Sequence, residues 1–386
     1  MFSYYRRLAA EEPRIKAFEK GIEAAIGPKS IVSEIGSGLG TYSFLASRAG
    51  AKKVYSIEES PIIDISRKLY SVNQGTLGEI VFINDNSINA YIPEKVDVVI
   101  YENYDCQGLT FQQECILDDS YSRFLKPGGT FIPSGLNLYW VPLEASEIWE
   151  KEVACLREKK EEVSGFDFSL TGTLAANERI VTRLEADKLL ADPVSLSKID
   201  FCKTRRYKFT HDLTILIKQK GTLHGFGSWV DFLFPGGHLF SLAYNRPLTS
   251  YARSFFPLPE RVQVNAGDII KMKVSVSKNI APDYVWTWWG EITDRKNHIK
   301  SQWNCSTMRL LPFTKADLTL PRIMGNSFKP SLNKQGRIRK RIFELIDGKE
   351  TVEEIARNLY NDFPEEIGSL ENSLGKVARI IKKYSS

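Results

Sequence analysis

The sequence predicts an α/β domain with a parallel sheet, followed by an antiparallel β domain and a small helical module. The stretch from Ile31 to Ser60 reads as strand, glycine-rich turn, helix and strand, which is the repeating unit of a parallel sheet. Short alternating stretches between Gly and Pro turns dominate from Val181 to about Ile292, a pattern typical of a sandwich or barrel. From about Leu332 the chain shows three short helical patterns.

Bulk composition describes an ordinary globular chain. Its 386 residues are enough for two or three domains, and 42% are hydrophobic while 26% are charged. A net charge of +5 is too small over this length to indicate nucleic-acid binding. No apolar run approaches the roughly 20 residues needed to span a bilayer, and the N-terminus lacks the apolar core of a signal peptide, so a cytoplasmic location is predicted. Five cysteines without a C-x-x-C pair and four scattered histidines predict neither a disulfide framework nor a metal site.

The glycine-rich turn predicts a nucleoside site. Gly36 and Gly38 fall where the first strand passes into its helix, and glycine lets the backbone approach a ligand closely. Glu58 ends the next strand about twenty residues later, where a carboxylate can accept hydrogen bonds from ribose hydroxyls. The G-x-G-x-G spacing, with Glu34 just before it, favours S-adenosylmethionine over a dinucleotide, whose pyrophosphate requires a helix N-terminus. An ordinary strand-to-helix turn is the alternative.

Other polar residues converge on the same edge of the predicted sheet. Asn86 follows the strand Ile80–Ile83, and Glu102 ends the buried strand that begins at Val96. In an open parallel sheet ligands bind outside the carboxyl ends of the strands. Two helices are predicted over residues 1–28, and Arg14 lies just inside the second, within reach of a ligand carboxylate. A solvated helix arginine is the alternative for Arg14.

The middle of the chain is predicted to be β-rich after an initial helix. Residues Ala145 to Lys160 read as a helix with many exposed charges, and alternating strands follow. Six aromatic residues of these strands are predicted to lie in the core rather than to form a stacking surface: Trp229, Phe232, Phe234, Trp286, Trp288 and Trp289.

The last segment predicts a separate helical module. Helices are expected from Arg337 to Ile346, from Thr351 onwards and from Ser369 to Tyr384, with Thr351 and Glu354 forming a capping box. The module would be winged if Ser327–Leu332 paired as a hairpin. A basic cluster at Arg337, Arg339, Lys340 and Arg341 is either a solvated face or a surface for an acidic peptide or nucleic acid.

Most of residues 1–295 resemble the protein arginine methyltransferases. The resemblance is carried by PRIKAFEKGIEAAI, SEIGSGLGTYS, GAKKVYSIEES, VDVVIYEN, FLKPGGTFIPSGLNLYWVPLE, GFDFS, RPLTSYARSF and NAGD, in the order of the family. It implies a Rossmann-like class I methyltransferase domain, then a β-barrel domain carrying a helical arm that forms head-to-tail homodimers. The implied divisions are residues 1–28 covering the donor site, 29–135 for the methyltransferase domain and 136–322 for the barrel, with the arm near 149–173.

The resemblance also implies a donor, S-adenosylmethionine, with S-adenosylhomocysteine as its product. By their positions in the family pattern, Arg14 would pair with the methionine carboxylate of the donor and Glu58 would bind its ribose. The remaining donor-site residues would be Tyr5 folding over the donor, Gly36 and Gly38 along the methionine, Asn86 and Ser87 beside the adenine, and Glu102.

The acceptor half departs from the family. The family grips a guanidinium between two glutamates, and Glu102 matches the first, but Phe111 stands nine residues later where the second belongs. Asp105 is the only other carboxylate inside that loop, and the Thr-His-Trp loop has become Thr249-Ser250-Tyr251. A planar guanidinium suits paired carboxylates, so arginine becomes a doubtful acceptor. We expect Glu102 to orient the acceptor nitrogen, with Asp105 or Tyr104 assisting.

Residues 323–386 resemble the PqqD-like domains that recognise precursor peptides in ribosomal peptide biosynthesis. The match runs through LNKQGRIRKRIFELIDGKETVEEIARNLYNDF, and the resemblance implies binding of a leader peptide as an added strand.

The resulting hypothesis is a peptide N-methyltransferase that tailors a ribosomally made precursor on a side-chain or terminal amine. Protein arginine methylation is the second hypothesis, and a non-catalytic protein that binds the donor is the third. A nucleic-acid methyltransferase is disfavoured because the chain lacks the Asn/Asp-Pro-Pro-aromatic motif in its catalytic domain.

Overall fold

The computed structural model describes residues 2–155, 165–183, 185–206, 208–246, 249–278, 284–310, 329 and 331–384. The chain divides into two compact units, Met1–Thr314 and Lys315–Ser386. Among the described residues, no helix is both long enough and apolar enough to cross a membrane.

The first unit begins with two helices and a five-stranded parallel sheet. The elements are α1 Phe2–Ala9, α2 Glu12–Ala25, β1 Ile31–Ile35, α3 Thr41–Arg48, β2 Lys53–Ile57, α4 Ile63–Asn73, β3 Ile80–Ile83, β4 Val96–Tyr101, α5 Phe111–Arg123 and β5 Leu125–Ile132. The strand order is β3-β2-β1-β4-β5, and each neighbouring pair is parallel. The order reverses between β1 and β4, so a ligand crevice is expected at their carboxyl ends.

Two antiparallel sheets make up the rest of this unit. Their strands are β6 Gly135–Glu144, β7 Ile180–Thr182, β8 Lys188–Leu189, β9 Val194–Asp200, β10 Phe209–Leu216, β11 Gly221–Leu233, β12 Leu239–Ser241, β13 Arg253–Val264, β14 Ile269–Lys278, β15 Tyr284–Thr293 and β16 Ile299–Ser306. One sheet runs β7-β13-β11-β6-β8, with β12 on β11 and β9 on β6, and the other runs β10-β14-β15-β16. The predicted fold class, a Rossmann-like domain followed by a barrel-like β domain, is confirmed.

Aromatic side chains join the two antiparallel sheets. Phe226 of β11 stacks on Trp140 of β6, with ring centroids 5.3 Å apart, and also meets Trp303 of β16 at 5.7 Å. Of the six aromatic residues predicted to be core, five are buried, but Trp289 is 48% exposed. The prediction failed there because Trp288 and Trp289 are consecutive on β15, and successive side chains of a strand point to opposite faces.

The predicted helix from Ala145 to Lys160 is irregular where the structure describes it. Helix α6 covers Ser146–Trp149 and continues as a π-helical turn over Glu150–Ala154. The predicted arm near 149–173 therefore begins at this turn, and α7 Ser169–Ala175 lies at its other end. Residues 156–164 of the arm lie outside the described residues.

Helix α2 packs between the parallel sheet and the barrel. The ring of Phe18 stacks on Tyr42 of α3 at 4.2 Å and meets Phe234, just after β11, edge-on at 5.0 Å. Phe18 and Ile22 are almost fully buried on this face. Helix α2 is thereby fixed to both halves of the first unit.

The second unit is helical over its described residues. Its elements are α8 Lys334–Leu345, α9 Val352–Asp362, α10 Pro364–Ile367 and α11 Leu370–Tyr384. Ile342, Leu359 and Val377 are fully buried in its own small core. The capping box at Thr351 and Glu354 is confirmed, whereas the number of helices differs from the prediction because Pro364 starts the extra helix α10. The predicted hairpin at Ser327–Leu332 lies mostly outside the described residues.

Candidate functional site

A cavity of 530 Å³ opens at the carboxyl ends of β1, β2 and β4. Helices α1 and α2 cover one side of it, and the loop after β12 closes another. The structure brings together around this cavity all of the residues predicted to form the donor and acceptor sites: Tyr5, Arg14, Gly36, Gly38, Glu58, Asn86, Ser87, Glu102, Tyr104 and Asp105. The positions agree with the expected convergence at one sheet edge, and the roles of these residues stay predictions.

The glycine turn forms the floor of the cavity. Gly36 and Gly38 have φ of 69° and 53°, a left-handed conformation that favours glycine. The backbone N–H groups of Gly36 and Ser37 donate to the carbonyl of Ile57, which ties the turn to β2. A Cβ on Gly38 would lie 3.0 Å from Cε1 of Tyr5, so the tyrosine of α1 rests directly on the turn.

The buried carboxylate of Glu58 sits at the end of β2. Its Oε2 accepts from the backbone N–H of Gly38 at 2.9 Å, and its Oε1 accepts from that of Ser60 at 2.9 Å. Each carboxylate oxygen can accept more than one hydrogen bond, so Glu58 is able to hold the turn and a hydroxyl of a ligand together.

Glu34, which precedes the glycine motif, holds the first turn of α3. Its Oε2 accepts from the backbone N–H of Ser43 at 2.6 Å and from the Ser43 hydroxyl, so it satisfies the first turn of α3. Burial raises the pKa of Glu34 to about 8, against the hydrogen bonds from Ser43, which lower it. The neighbouring carboxylates of Glu102 and Glu58 add to the increase.

Asn86 and Ser87 lie at the far side of the same cavity. The side-chain amide of Asn86 donates to Glu59 at 2.7 Å, and its Oδ1 accepts from the backbone N–H of Ile88. Ser87 is 8% exposed, and its carbonyl accepts from Arg123 of α5 at 2.5 Å. These contacts fix the turn after β3 against the edge of the cavity.

Arg14 and Glu102 form a buried ion pair at the opposite end. Nη1 of Arg14 lies 2.7 Å from Oε1 of Glu102, and only 2% of Arg14 is exposed. The alternative of a solvated helix arginine is therefore wrong. Burial raises the pKa of Glu102, while Arg14 and a hydrogen bond from the Tyr251 hydroxyl oppose that increase.

The loop after Glu102 holds the other two predicted acceptor residues. Tyr104 is buried and its ring packs against Phe201 and Phe232, while its hydroxyl has no hydrogen-bond partner among the described residues. Asp105 accepts from Arg179 at 2.7 Å. Although burial works against it, Arg179 holds the pKa of Asp105 below its usual range.

Sequence reasoning missed three residues that shape this end. Tyr251 donates to Oε1 of Glu102, Arg179 pairs with Asp105, and Glu11 accepts from the backbone N–H of Ser250 at 2.6 Å. The altered Thr249-Ser250-Tyr251 loop was a signal for Tyr251 and Ser250. No local pattern marked Arg179, because it lies 74 residues away from its partner.

The cavity has the groups that S-adenosylmethionine requires. Glu58 can accept from ribose hydroxyls, and the buried hydroxyls of Ser37 and Tyr42 line the cavity without a hydrogen-bond partner among the described residues. Since buried polar groups are normally hydrogen-bonded, these two hydroxyls indicate a polar ligand. Arg14 at the wall of the cavity is placed for a carboxylate.

Comparison with known proteins finds similarity to the protein arginine methyltransferases. A family model described as the arginine methyltransferase oligomerization subdomain matches residues 137–284. Protein arginine N-methyltransferase 1 of Saccharomyces cerevisiae is 26% identical over 260 residues, covering 64% of this chain and 72% of the yeast protein. Protein arginine N-methyltransferase 8-B of Danio rerio is 26% identical over 290 residues, covering 72% of this chain and 67% of the fish protein.

Among solved structures, the fold is similar to that of the Trypanosoma brucei PRMT1 enzyme–prozyme heterotetrameric complex with AdoHcy. The TM-score is 0.70 at 17% identity, over 79% of this chain and 98% of that chain. This similarity shows the fold. Together, the matches bear out the prediction of an S-adenosylmethionine-dependent N-methyltransferase that resembles the protein arginine methyltransferases.

We predict that Glu58→Gln weakens the binding of S-adenosylhomocysteine about tenfold, as measured by calorimetry. The amide keeps one acceptor oxygen but replaces the other with an NH₂ donor, which opposes either the Gly38 N–H or a ribose hydroxyl. Glu79→Gln, an exposed glutamate before β3 that pairs with Lys53, is the matched control and should bind as the wild type does. Equal affinity for Glu58→Gln and wild type would remove Glu58 from the donor site.

Glu34 should make the stability of the first unit depend on pH. Because its pKa is raised in the folded state, its contribution is complete below the unfolded pKa of about 4.5 and is lost as the pH rises towards about 8. Relative to Glu34→Gln, the wild type should lose up to about 5 kcal/mol of unfolding free energy across this range. Denaturant titrations followed by tryptophan fluorescence report on this unit, since all seven tryptophans lie in it. A difference between the two proteins that stays constant with pH would contradict the prediction.

Proposed function

We propose that this chain transfers a methyl group from S-adenosylmethionine to a nitrogen of a ribosomally made precursor peptide. The observation that carries the proposal is the cavity in which the glycine turn and Glu58 meet Arg14 and Glu102. The residues proposed to bind the donor lie at one end of it, and the buried carboxylate proposed to bind the acceptor lies at the other. A cytoplasmic site of action fits the substrate class.

Methyl transfer requires little acid–base chemistry. The bound donor supplies a methyl group on a positively charged sulfur, and the protein must align a nitrogen with it and exclude water. Glu102 would accept a hydrogen bond from the acceptor nitrogen and stabilise the positive charge that develops on it. Tyr104, with its buried hydroxyl, and Asp105 would border the acceptor. Tyr5 on the glycine turn would keep water from the donor.

The second unit would supply the substrate. We propose that it is a PqqD-like recognition module that binds a leader peptide while the modified segment reaches the cavity. Its surface supports an acidic ligand, because Arg337, Arg339 and Lys340 are exposed along α8. Binding through a separate module raises the effective concentration of the acceptor, so the cavity itself needs few substrate contacts.

We also propose that the chain forms a homodimer through the arm near 149–173. Two aromatic residues at the end of the arm support this, since Phe166 is 65% exposed and Phe168 is 39% exposed. Aromatic residues are enriched at protein interfaces relative to the rest of the surface. Sedimentation velocity would distinguish a dimer from a monomer.

Protein arginine methylation is a second candidate, favoured by the sequence similarity to the arginine methyltransferases. A third candidate is a protein that binds the donor without catalysis. The second and third candidates predict different products from the first, so a single methylation assay distinguishes the three candidates.

The full chain, incubated with S-adenosylmethionine and the short peptides encoded beside its gene, should give methylated peptide detectable by mass spectrometry. Glu102→Gln should lower turnover at least about a hundredfold, because the amide cannot stabilise the positive nitrogen. Glu94→Gln, an exposed glutamate outside the cavity, is the control. Methylation confined to arginine would favour the second candidate. Donor binding without turnover on any peptide, or full turnover by Glu102→Gln, would favour the third.

The double variant Arg339→Glu/Lys340→Glu should raise the KM for a full-length precursor about tenfold. Its kcat on a short peptide that lacks the leader should stay unchanged, because the change is confined to the second unit. The control is Lys349→Glu/Arg357→Glu, which makes the same change of charge elsewhere on that unit. Equal effects of the two double variants would mean that α8 is not the docking surface.

A further inference from the structure

One carboxylate oxygen of Glu102 is already in contact with donors of the protein, and the other can accept a hydrogen bond from a substrate. Nη1 of Arg14 lies 2.7 Å from its Oε1, and the hydroxyl of Tyr251 donates a hydrogen bond to the same oxygen. Its Oε2 accepts no hydrogen bond from the described residues. The side chain is 14% exposed and lines the cavity, so Oε2 is the atom that an acceptor can reach.

The second carboxylate at this end, that of Asp105, is also paired with an arginine. Oδ1 of Asp105 accepts from Nη1 of Arg179 at 2.7 Å and from the backbone N–H of Gln107 at 2.9 Å. Glu102 and Asp105 therefore each face an arginine, and Arg14 also lies 3.2 Å from Glu11. Among the described residues, the acceptor end offers no carboxylate without an arginine partner.

This arrangement does not suit a guanidinium. A guanidinium stays charged at all working pH values and binds best through parallel N–H groups to both oxygens of a carboxylate. Here it would meet a carboxylate with one available oxygen, in a cavity that Arg14 and Arg183 already line. A neutral amine needs one acceptor atom and brings no charge.

We infer that the acceptor is an amine, of a lysine side chain or a peptide N-terminus, and that Tyr251 determines this specificity by occupying Oε1 of Glu102. The inference rests on the proposed methyl transfer and names its substrate class. Tyr251 acts on the acceptor through Glu102, so it is a positioning residue.

Charge compensation also keeps the amine reactive. An unpaired carboxylate would hold the amine as an ammonium, which has no lone pair, whereas a carboxylate already paired with Arg14 and Tyr251 attracts the proton less. The amine loses its proton to solvent before transfer. Its lone pair then forms the C–N bond to the methyl carbon while the C–S bond breaks, and the bonding electrons remain on sulfur. The methylated ammonium releases its proton to solvent after it leaves.

The test uses three synthetic peptide libraries of one design and the full chain. The first has a central lysine and an acetylated N-terminus, the second replaces this lysine with arginine, and the third has a free N-terminus but neither lysine nor arginine. Binding is measured by fluorescence polarisation with S-adenosylhomocysteine present, and methylation by mass spectrometry. We expect one or both amine libraries to bind and react at least about tenfold better than the arginine library.

Equal or better binding and methylation of the arginine library overturns the inference while leaving the proposed methyl transfer intact. The inference is also overturned if the amine libraries bind no better than the arginine library and no library is methylated. Failure to bind S-adenosylhomocysteine in calorimetry is a separate result, because it removes the proposed function itself.

Tyr251→Phe tests the role of the hydroxyl. It should keep the affinity for S-adenosylhomocysteine but lower the ratio of amine to arginine turnover about tenfold. The same ratio should fall in the binding measurement. The matched control is Tyr55→Phe, which removes a tyrosine–glutamate hydrogen bond to Glu94 outside the cavity and should leave the ratio unchanged. An unchanged ratio in Tyr251→Phe, or an equal change in both variants, overturns the assignment of Tyr251.

Discussion

The buried ion pair between Arg14 and Glu102 is the interaction on which the arrangement of the site depends. It joins α2 to the end of β4, and removing Arg14 would leave the carboxylate of Glu102 without its charged partner in the interior. Arg14 also donates to the carbonyl of Leu8 in α1 and lies 3.2 Å from Glu11. Glu11 in turn accepts from Ser250 in the barrel. One arginine thus connects the helices over the cavity, the parallel sheet and the barrel loop.

The two ends of the cavity are built in different ways. The donor end comes from consecutive pieces of one parallel sheet, whose carboxyl ends meet at one edge whatever the rest of the chain does. The acceptor end is assembled from segments far apart in sequence. Tyr251 reaches Glu102 across 149 residues and Arg179 reaches Asp105 across 74. The Thr249-Ser250-Tyr251 loop, which departs from the arginine methyltransferase pattern, belongs to this second end.

This difference explains how much the sequence could predict. The strand-turn-helix pattern located Gly36 and Gly38, and the ends of two apolar runs located Glu58 and Glu102, because these positions follow from local periodicity. Pairing partners such as Arg179 follow only from tertiary structure. The same limit applies to Glu34, because its place before the glycine motif does not reveal that its oxygen accepts from Ser43 in the first turn of α3. The capping box at Thr351 was predictable because both of its residues lie within one helical turn.

The contact between Tyr5 and Gly38 has a consequence for the way in which the spent donor leaves the cavity. Helix α1, which carries this tyrosine, has no fully buried side chain, so it is held less firmly than α2. We expect spent donor to leave by local opening of this helix, while the sheet and the barrel keep their places. The rate at which the spent donor leaves would then depend on the opening of the eight-residue helix α1, and not on movement of whole domains.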